Sequence, residues 1–121
     1  MAEKISIKAK IRKILLECLA RRHIHINKII IFGSYAKRRQ REDSDIDLII
    51  VSRDFRGKDI FERVFLTTGI GRELVRKTGK PFDIMFYSDR EWKEGNSIII
   101  SAARQEGELL YSGEEIRQVS R

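Results

Sequence analysis

Two apolar runs joined by a short connection constrain the fold of this chain most strongly. The runs occupy residues 28–32 and 48–51, and Ile, Leu, Val and Phe dominate both. Their length and composition predict two buried β-strands. A parallel crossover usually needs a dozen or more residues, and the connection at residues 34–44 is shorter than that. We therefore expect the two strands to be antiparallel neighbours.

Two aspartates open the second run. Asp45 and Asp47 are two residues apart, so their side chains point to the same face of a strand. Two carboxylates a few Å apart repel by about 1 kcal/mol in water and by about 4 kcal/mol at an effective dielectric of 20. The pair therefore predicts a bound cation, for which we favour magnesium.

The residues around this pair suggest what else is bound. Gly33 and Ser34 end the first run, where backbone N–H groups and a hydroxyl can hold an anion. Asp83 is the one acid in the apolar run at residues 81–87. Alone, Asp83 is more simply a strand-start residue held by a turn or an arginine. Beside the other four residues, it is better interpreted as a third metal ligand in a nucleoside triphosphate site.

The spacing of these residues resembles a known motif. Gly33-Ser34, ten further residues, Asp45-Ile46-Asp47 and a later Asp83 are similar to the signature of the DNA-polymerase-beta superfamily of nucleotidyltransferases. Within it, the chain most resembles the minimal nucleotidyltransferases that are often paired with a HEPN-domain toxin. The resemblance runs from about residue 28 to residue 111 and implies the nucleotidyltransferase fold of that family.

The resemblance also implies a role for each motif residue. Asp45, Asp47 and Asp83 would hold two magnesium ions, and Asp83 would help to deprotonate the acceptor hydroxyl. Gly33 and Ser34 would hold the β- and γ-phosphates of ATP, and pyrophosphate would leave. The substrate, AMP transferred to a tyrosine hydroxyl of a HEPN-domain ribonuclease, is implied by the resemblance alone.

One position departs from the family pattern. Arg38 stands where relatives often have a glycine, within a basic group of four residues, Lys37, Arg38, Arg39 and Arg41. Arg38 could bind phosphate, and the group could attract a polyanion or dock an acidic partner. A solvated charged loop explains the same residues equally well.

Size and composition set limits. The 121 residues predict a single domain, 1–121, without room for the domains that grip template or primer in polymerases, so the acceptor is small or is presented by a partner.

The net charge is +7, but no aromatic ladder accompanies the basic residues, so direct nucleic-acid binding is not indicated. A lone cysteine and the absence of a long apolar run predict a soluble, cytoplasmic protein without membrane contact. The sequence leaves open whether it forms homo- or hetero-oligomers.

Helical patterns surround the strands. Apolar residues with a helical period predict a helix over residues 3–22 and a long helix that starts at the capping-box-like pair Asp59 and Glu62. Gly69 and Gly71 favour a kink or a break in the second helix. Ser88 with Glu91 predicts a capped helix, and Asn96 is expected to cap another that ends at Gly107. With a last short strand at residues 109–111, these elements predict an α/β domain whose mixed sheet has about four strands flanked by helices.

Three functions remain in competition. The first is a metal-dependent protein adenylyltransferase that acts as an antitoxin. The second is a binding module that neutralises a toxin by steric cover, against which three mutually repelling carboxylates argue. The third is a nucleic-acid-binding accessory protein, for which only the charge argues.

Overall fold

The computed structural model describes residues 6–33 and 45–113, and these residues form one four-stranded sheet with helices. The strands are β1 (Lys28–Phe32), β2 (Ile46–Val51), β3 (Phe82–Tyr87) and β4 (Glu108–Ser112). The helices in the described residues are α1 (Ile7–Arg21), α2 (Ile60–Leu66), α3 (Ile70–Thr78), α4 (Asp89–Glu94) and α5 (Ile98–Glu106), with a 3₁₀ turn at Arg53–Phe55. No helix in these ranges has the length and apolar character needed to cross a membrane.

The strand order across the sheet is β3-β2-β1-β4. Strand β1 is antiparallel to both β2 and β4, whereas β2 and β3 are parallel. This arrangement confirms the predicted mixed sheet of four strands and the antiparallel pairing of the first two. The parallel pair requires a crossover, which the 3₁₀ turn, α2 and α3 provide.

Helix α1 covers one face of the sheet, as its apolar stripe predicted. Ile11, Leu15 and Leu19 are completely buried and belong to one cluster with Ile29 and Ile31 of β1. The opposite face carries a second, smaller cluster under α5, formed by Ile30, Ile49, Val51 and Ala103. The alternation of side chains along each strand therefore divides the core into two layers.

The boundaries of the helices follow local capping. Asp59 with Glu62 and Ser88 with Glu91 form complete capping boxes, as predicted. The expected break occurs at Gly69, whose φ of 92° separates α2 from α3. The prediction for α5 was wrong by one residue, because the cap is Ser97, which accepts hydrogen bonds from the backbone N–H groups of Ile99 and Ile100. Asn and Ser are both good caps, so adjacent ones leave the sequence ambiguous.

Helix α2 is inverted relative to an ordinary surface helix. Its buried side chain is Arg63, and Thr67 at its end is also buried. Leu66 packs against the core, whereas the other four apolar side chains face outward and form the surface that we call the α2 ridge. The exposed fractions of the ridge side chains are 54% for Ile60, 81% for Phe61, 50% for Val64 and 79% for Phe65.

Arg63 attaches this helix to the sheet. Its Nη1 donates to the backbone carbonyl of Phe86 at 2.8 Å and to Oε1 of Glu91 at 2.8 Å, and its guanidinium lies 5.9 Å from the centre of the Phe55 ring. A buried guanidinium is tolerated only when it is paired and hydrogen-bonded. The polar side of α2 is therefore its inner side, which leaves the apolar side facing solvent.

Arg63→Ala is expected to lower the free energy of unfolding by about 2 kcal/mol, because the buried carbonyl of Phe86 loses its donor. The partly exposed partner Glu91 can turn to water and adds little. Urea denaturation of the variant measures the change. Arg76→Ala is the matched control, because that guanidinium is exposed and pairs only on the surface with Glu73. Equal stability of the two variants would contradict the anchoring role of Arg63.

Candidate active site

Two aspartates and a glycine lie side by side at one end of the sheet. In the pairing of the strands, Asp47 of β2 lies opposite Phe32 of β1 on one side and opposite Asp83 of β3 on the other. Gly33 directly follows Phe32. Three neighbouring strands thus bring Gly33, Asp47 and Asp83 together.

The aspartates share the face of the sheet opposite to α1. Ile46 and Leu48 belong to the cluster under α1, so the side chain of Asp47 between them points the other way. Paired residues of neighbouring strands point to the same face, so Asp83 does so as well. Asp45 is exposed immediately before β2, two residues from Asp47. These positions place the three predicted acids around the mouth of β2.

Gly33 is required sterically at its position. Its φ is 75°, a left-handed conformation that side chains disfavour. A Cβ atom at this position would lie 2.3 Å from Oδ2 of Asp47. The carboxylate of Asp47 therefore occupies the space that the missing side chain leaves free, and glycine sets the position of that carboxylate.

The acids influence one another electrostatically. Burial raises the pKa of Asp47 above its usual value, and the charges of Asp83 and Asp45 raise it further. A divalent cation would relieve this repulsion, and magnesium takes carboxylate oxygens as ligands. The donor set thus fits a hard divalent cation held by Asp45, Asp47 and Asp83.

The site is not a preassembled ligand shell. Over residues 6–33 and 45–113, no three His, Cys, Asp or Glu side chains are grouped closely enough to hold a metal ion as they stand. Ser34, Arg38 and the other basic residues of the connection lie outside the described residues, so the roles predicted for them remain predictions. The structure supplies neighbouring positions for the acids on one face.

An apolar floor extends from the acids along the same face. Ile49 follows Asp47 on β2, and Met85 follows Asp83 on β3, each two residues further along its strand. Met85 and Phe32 are partly buried against the cluster that contains Ile49. Strand alternation alone could have identified these residues from the sequence. Ile49 is completely buried, so this apolar layer belongs to the core and the acids lie at its edge.

The acidic row beside a glycine turn on a mixed sheet has the arrangement expected of a nucleotidyltransferase. The comparison with protein families agrees: residues 9–116 match the family described as "Polymerase beta, Nucleotidyltransferase". The chain belongs to this family, and its fold is that of the minimal nucleotidyltransferases. No curated protein matches the chain at a significant level.

Several solved structures share the fold. A toxin–antitoxin structure with AMP-PNP superposes with a TM-score of 0.61 at 18% identity, covering 88% of this chain and 77% of the other. A Sulfolobus solfataricus protein, provisionally assigned as a nucleotidyltransferase, superposes with a TM-score of 0.59 at 16% identity. The match covers 95% of this chain and 96% of the other. A chain from the complex of a tri-AMPylated Shewanella oneidensis HEPN toxin with an MNT antitoxin superposes with a TM-score of 0.54 at 17% identity. The match covers 93% of this chain and 78% of the other. At these identities the likeness concerns the fold.

Proposed function

We propose that this chain transfers AMP from ATP, with magnesium, to a tyrosine hydroxyl of a HEPN-domain ribonuclease and so acts as its antitoxin. The observation that carries the proposal is the row of Gly33, Asp47 and Asp83 across three neighbouring strands, with Asp45 beside it. This row would bring the triphosphate, the metal ions and the acceptor hydroxyl to one edge. We place the reaction in the cytoplasm, where ATP and such a ribonuclease would meet.

Each residue of the row has a distinct task in this proposal. The backbone of Gly33 and the hydroxyl of Ser34 bind the β- and γ-phosphates, and Arg38 adds a positive charge beside them. The acceptor oxygen attacks the α-phosphorus, and the bond from that phosphorus to the β-phosphate oxygen breaks, so pyrophosphate leaves. Asp83 accepts the proton of the acceptor hydroxyl.

Asp45 and Asp47 act by position and charge. They and Asp83 would hold magnesium. When bound, magnesium would neutralise negative charge on the triphosphate and lower the pKa of the acceptor hydroxyl. The missing side chain of Gly33 leaves the space that the carboxylate of Asp47 occupies beside the turn. The same geometry keeps the acids close although they repel one another.

The partner and the nucleotide rest on similarity. A structure with the same fold contains AMP-PNP, and another contains a tri-AMPylated HEPN toxin with an MNT antitoxin.

Asp83→Asn is expected to reduce AMP transfer on the order of 100-fold, because the acceptor hydroxyl loses its proton acceptor. The measurement is the incorporation of label from α-³²P-ATP, with magnesium, into the purified HEPN-domain protein encoded beside this chain. Asp83 is exposed, so the fold and the complex with the partner should be preserved. Asp54→Asn is a suitable comparison, because Asp54 lies in the 3₁₀ turn beyond the other end of β2. Undiminished labelling by Asp83→Asn would refute its assigned role, and no labelling by the wild type would refute the proposed activity.

A second candidate function is inhibition by binding alone, without transfer. The α2 ridge favours it, because two phenylalanines that are about 80% exposed indicate a covered surface. The two candidates differ in the behaviour of Asp83→Asn in cells. If that variant neutralises the toxin as well as the wild type does, the mechanism is steric cover. If it forms the complex but does not neutralise the toxin, the mechanism is AMP transfer.

A further inference from the structure

The α2 ridge is a surface that the site chemistry does not explain. An ordinary surface helix turns its apolar stripe toward the core, whereas α2 buries Arg63 and exposes Ile60, Phe61, Val64 and Phe65. The burial of Arg63 is fixed by its bonds to Phe86 and Glu91, so rotating the helix to hide the phenylalanines would break them. The outward orientation is therefore built into the fold.

The surface around the ridge has the shape of a docking site. A hollow of about 340 Å³ on one flank is lined by Lys58, Phe61, Glu62, Phe65 and Leu66. A second hollow of about 280 Å³ on the other flank includes Lys58, Ile60 and Arg63 in its lining. Hollows beside exposed apolar side chains can receive side chains of a protein partner.

The size of the ridge argues against a homodimer. From its exposed fractions and the roughly 150–250 Å² that a phenylalanine can bury, the four side chains offer roughly 400–500 Å². Obligate homodimers commonly bury more than about 1,000 Å² per subunit, whereas a standard interface between different proteins buries about 800 Å² per partner. The ridge is thus of the size expected for the apolar centre of a heteromeric interface with a polar rim.

The net charge of the chain also favours a different protein over a second copy as the partner. Each copy of the chain carries a net charge of +7, so two copies repel, whereas an acidic protein is attracted. Lys58 lines both hollows, and no ion pair between described residues involves it. The acids in the same linings, Asp59, Glu62 and Glu91, already accept hydrogen bonds from the capping box of α2 or from Arg63. Lys58 can therefore meet a carboxylate of a partner at the rim of the ridge.

We propose that the α2 ridge docks an acidic protein partner, the same protein that carries the acceptor hydroxyl. The inference rests on the proposed function for the identity of that partner. The ridge belongs to the helix that flanks the strand of the third acid, because Arg63 joins α2 to Phe86, three residues beyond Asp83 on β3, which is about 10 Å along a strand. A protein that covers the ridge therefore has to extend along β3 to present a side chain to the acids.

The test measures binding separately from transfer. The probe is the purified HEPN-domain protein encoded beside this chain, titrated calorimetrically with the wild type and with the double variant Phe61→Ser, Phe65→Ser. The double variant is expected to bind at least 30-fold more weakly, with an unchanged thermal midpoint because both rings are exposed. Ile98→Ser is the matched control, since Ile98 is 88% exposed on α5, away from the ridge, and should bind within threefold of the wild type.

A charge variant tests the acidic character of the partner. Lys58→Glu is expected to weaken binding about tenfold at low salt and to remove most of the salt dependence, because a rim charge acts through screened attraction. Binding of the double variant within threefold of the wild type would overturn the docking proposal, as would binding of Lys58→Glu that equals the wild type at low salt. A wild type that does not bind the probe would overturn it too. Sedimentation that shows a wild-type dimer and a monomeric double variant would assign the ridge to self-association instead.

The same proteins separate this proposal from the proposed function. If docking and transfer are both correct, the double variant raises the KM for the partner protein and leaves kcat nearly unchanged. A ridge-dependent complex without any labelling would refute the transfer and retain the docking surface. If the wild type and the double variant label the partner equally and with equal KM, the docking surface is refuted and the transfer is retained.

Discussion

Asp47→Asn is expected to lower AMP transfer on the order of 1,000-fold or more while making the metal-free protein as stable as, or more stable than, the wild type. The loss of activity follows because the central acid of the row, placed between Gly33 and Asp83, would no longer bind a cation. The gain in stability follows because Asn removes a charge that burial and two neighbouring carboxylates disfavour. Labelling assays and thermal denaturation in EDTA measure the two effects.

The stability effect has a defined pH dependence. The pKa of Asp47 is raised in the folded state, so between the unfolded and folded values the folded protein binds more protons than the unfolded one. Stability therefore falls as the pH rises through this interval, and Asp47 costs stability at neutral pH. The advantage of Asp47→Asn is expected to be largest near pH 7 and to shrink as the pH falls toward 4.

Asp89 provides a contrast of opposite sign. A hydrogen bond from Arg56 lowers the pKa of Asp89, so this carboxylate stabilises the fold above its usual pKa and loses that effect on acidification. Asp89→Asn should therefore lower the thermal midpoint at pH 7, where Asp47→Asn preserves or raises it. If Asp47→Asn melts well below the wild type without metal, Asp47 is a structural residue and its assignment as a metal ligand loses its main support.

Gly33→Ala is expected to reduce transfer on the order of 1,000-fold and to destabilise the fold by about the 1–2 kcal/mol that a left-handed alanine costs. The added Cβ would meet Oδ2 of Asp47 at 2.3 Å, so the carboxylate must move out of the row. Activity assays and urea denaturation report the two consequences.

Gly57→Ala separates the clash from the backbone strain. Gly57 has a φ of 70°, close to that of Gly33, but a Cβ there would meet no atom within 4 Å. Its substitution should cost only the strain and leave transfer intact. If Gly33→Ala retains wild-type activity, Asp47 does not depend on the contact with the glycine.

The sequence predicted the parts of the fold that depend on local pattern. Residues close together in the chain determine four of these features: the Ile-rich runs, the apolar stripe of α1, both capping boxes and the break at Gly69. The pairing of β1 with β2 followed from the short connection between them. The position of Asp45 and Asp47 at the start of β2 was predictable for the same reason.

The sequence could not predict how distant elements meet. That Asp83 lies opposite Asp47 depends on the register of a parallel pair, which the packing of the whole crossover sets. The inversion of α2 was equally hidden, because periodicity shows that a helix has an apolar side but not that Arg63 will find Phe86 and Glu91.

The parallel pairing of β2 with β3 has a consequence for how the chain folds. Strands β1 and β2 meet through a short connection, so Gly33 and Asp47 come together early, at a low entropic cost of loop closure. Asp83 joins only after the long segment through α2 and α3 is ordered. Transient opening of that segment would remove the third acid while leaving the first hairpin intact, so nucleotide binding should slow the hydrogen exchange of β3 amides more than that of β1 amides.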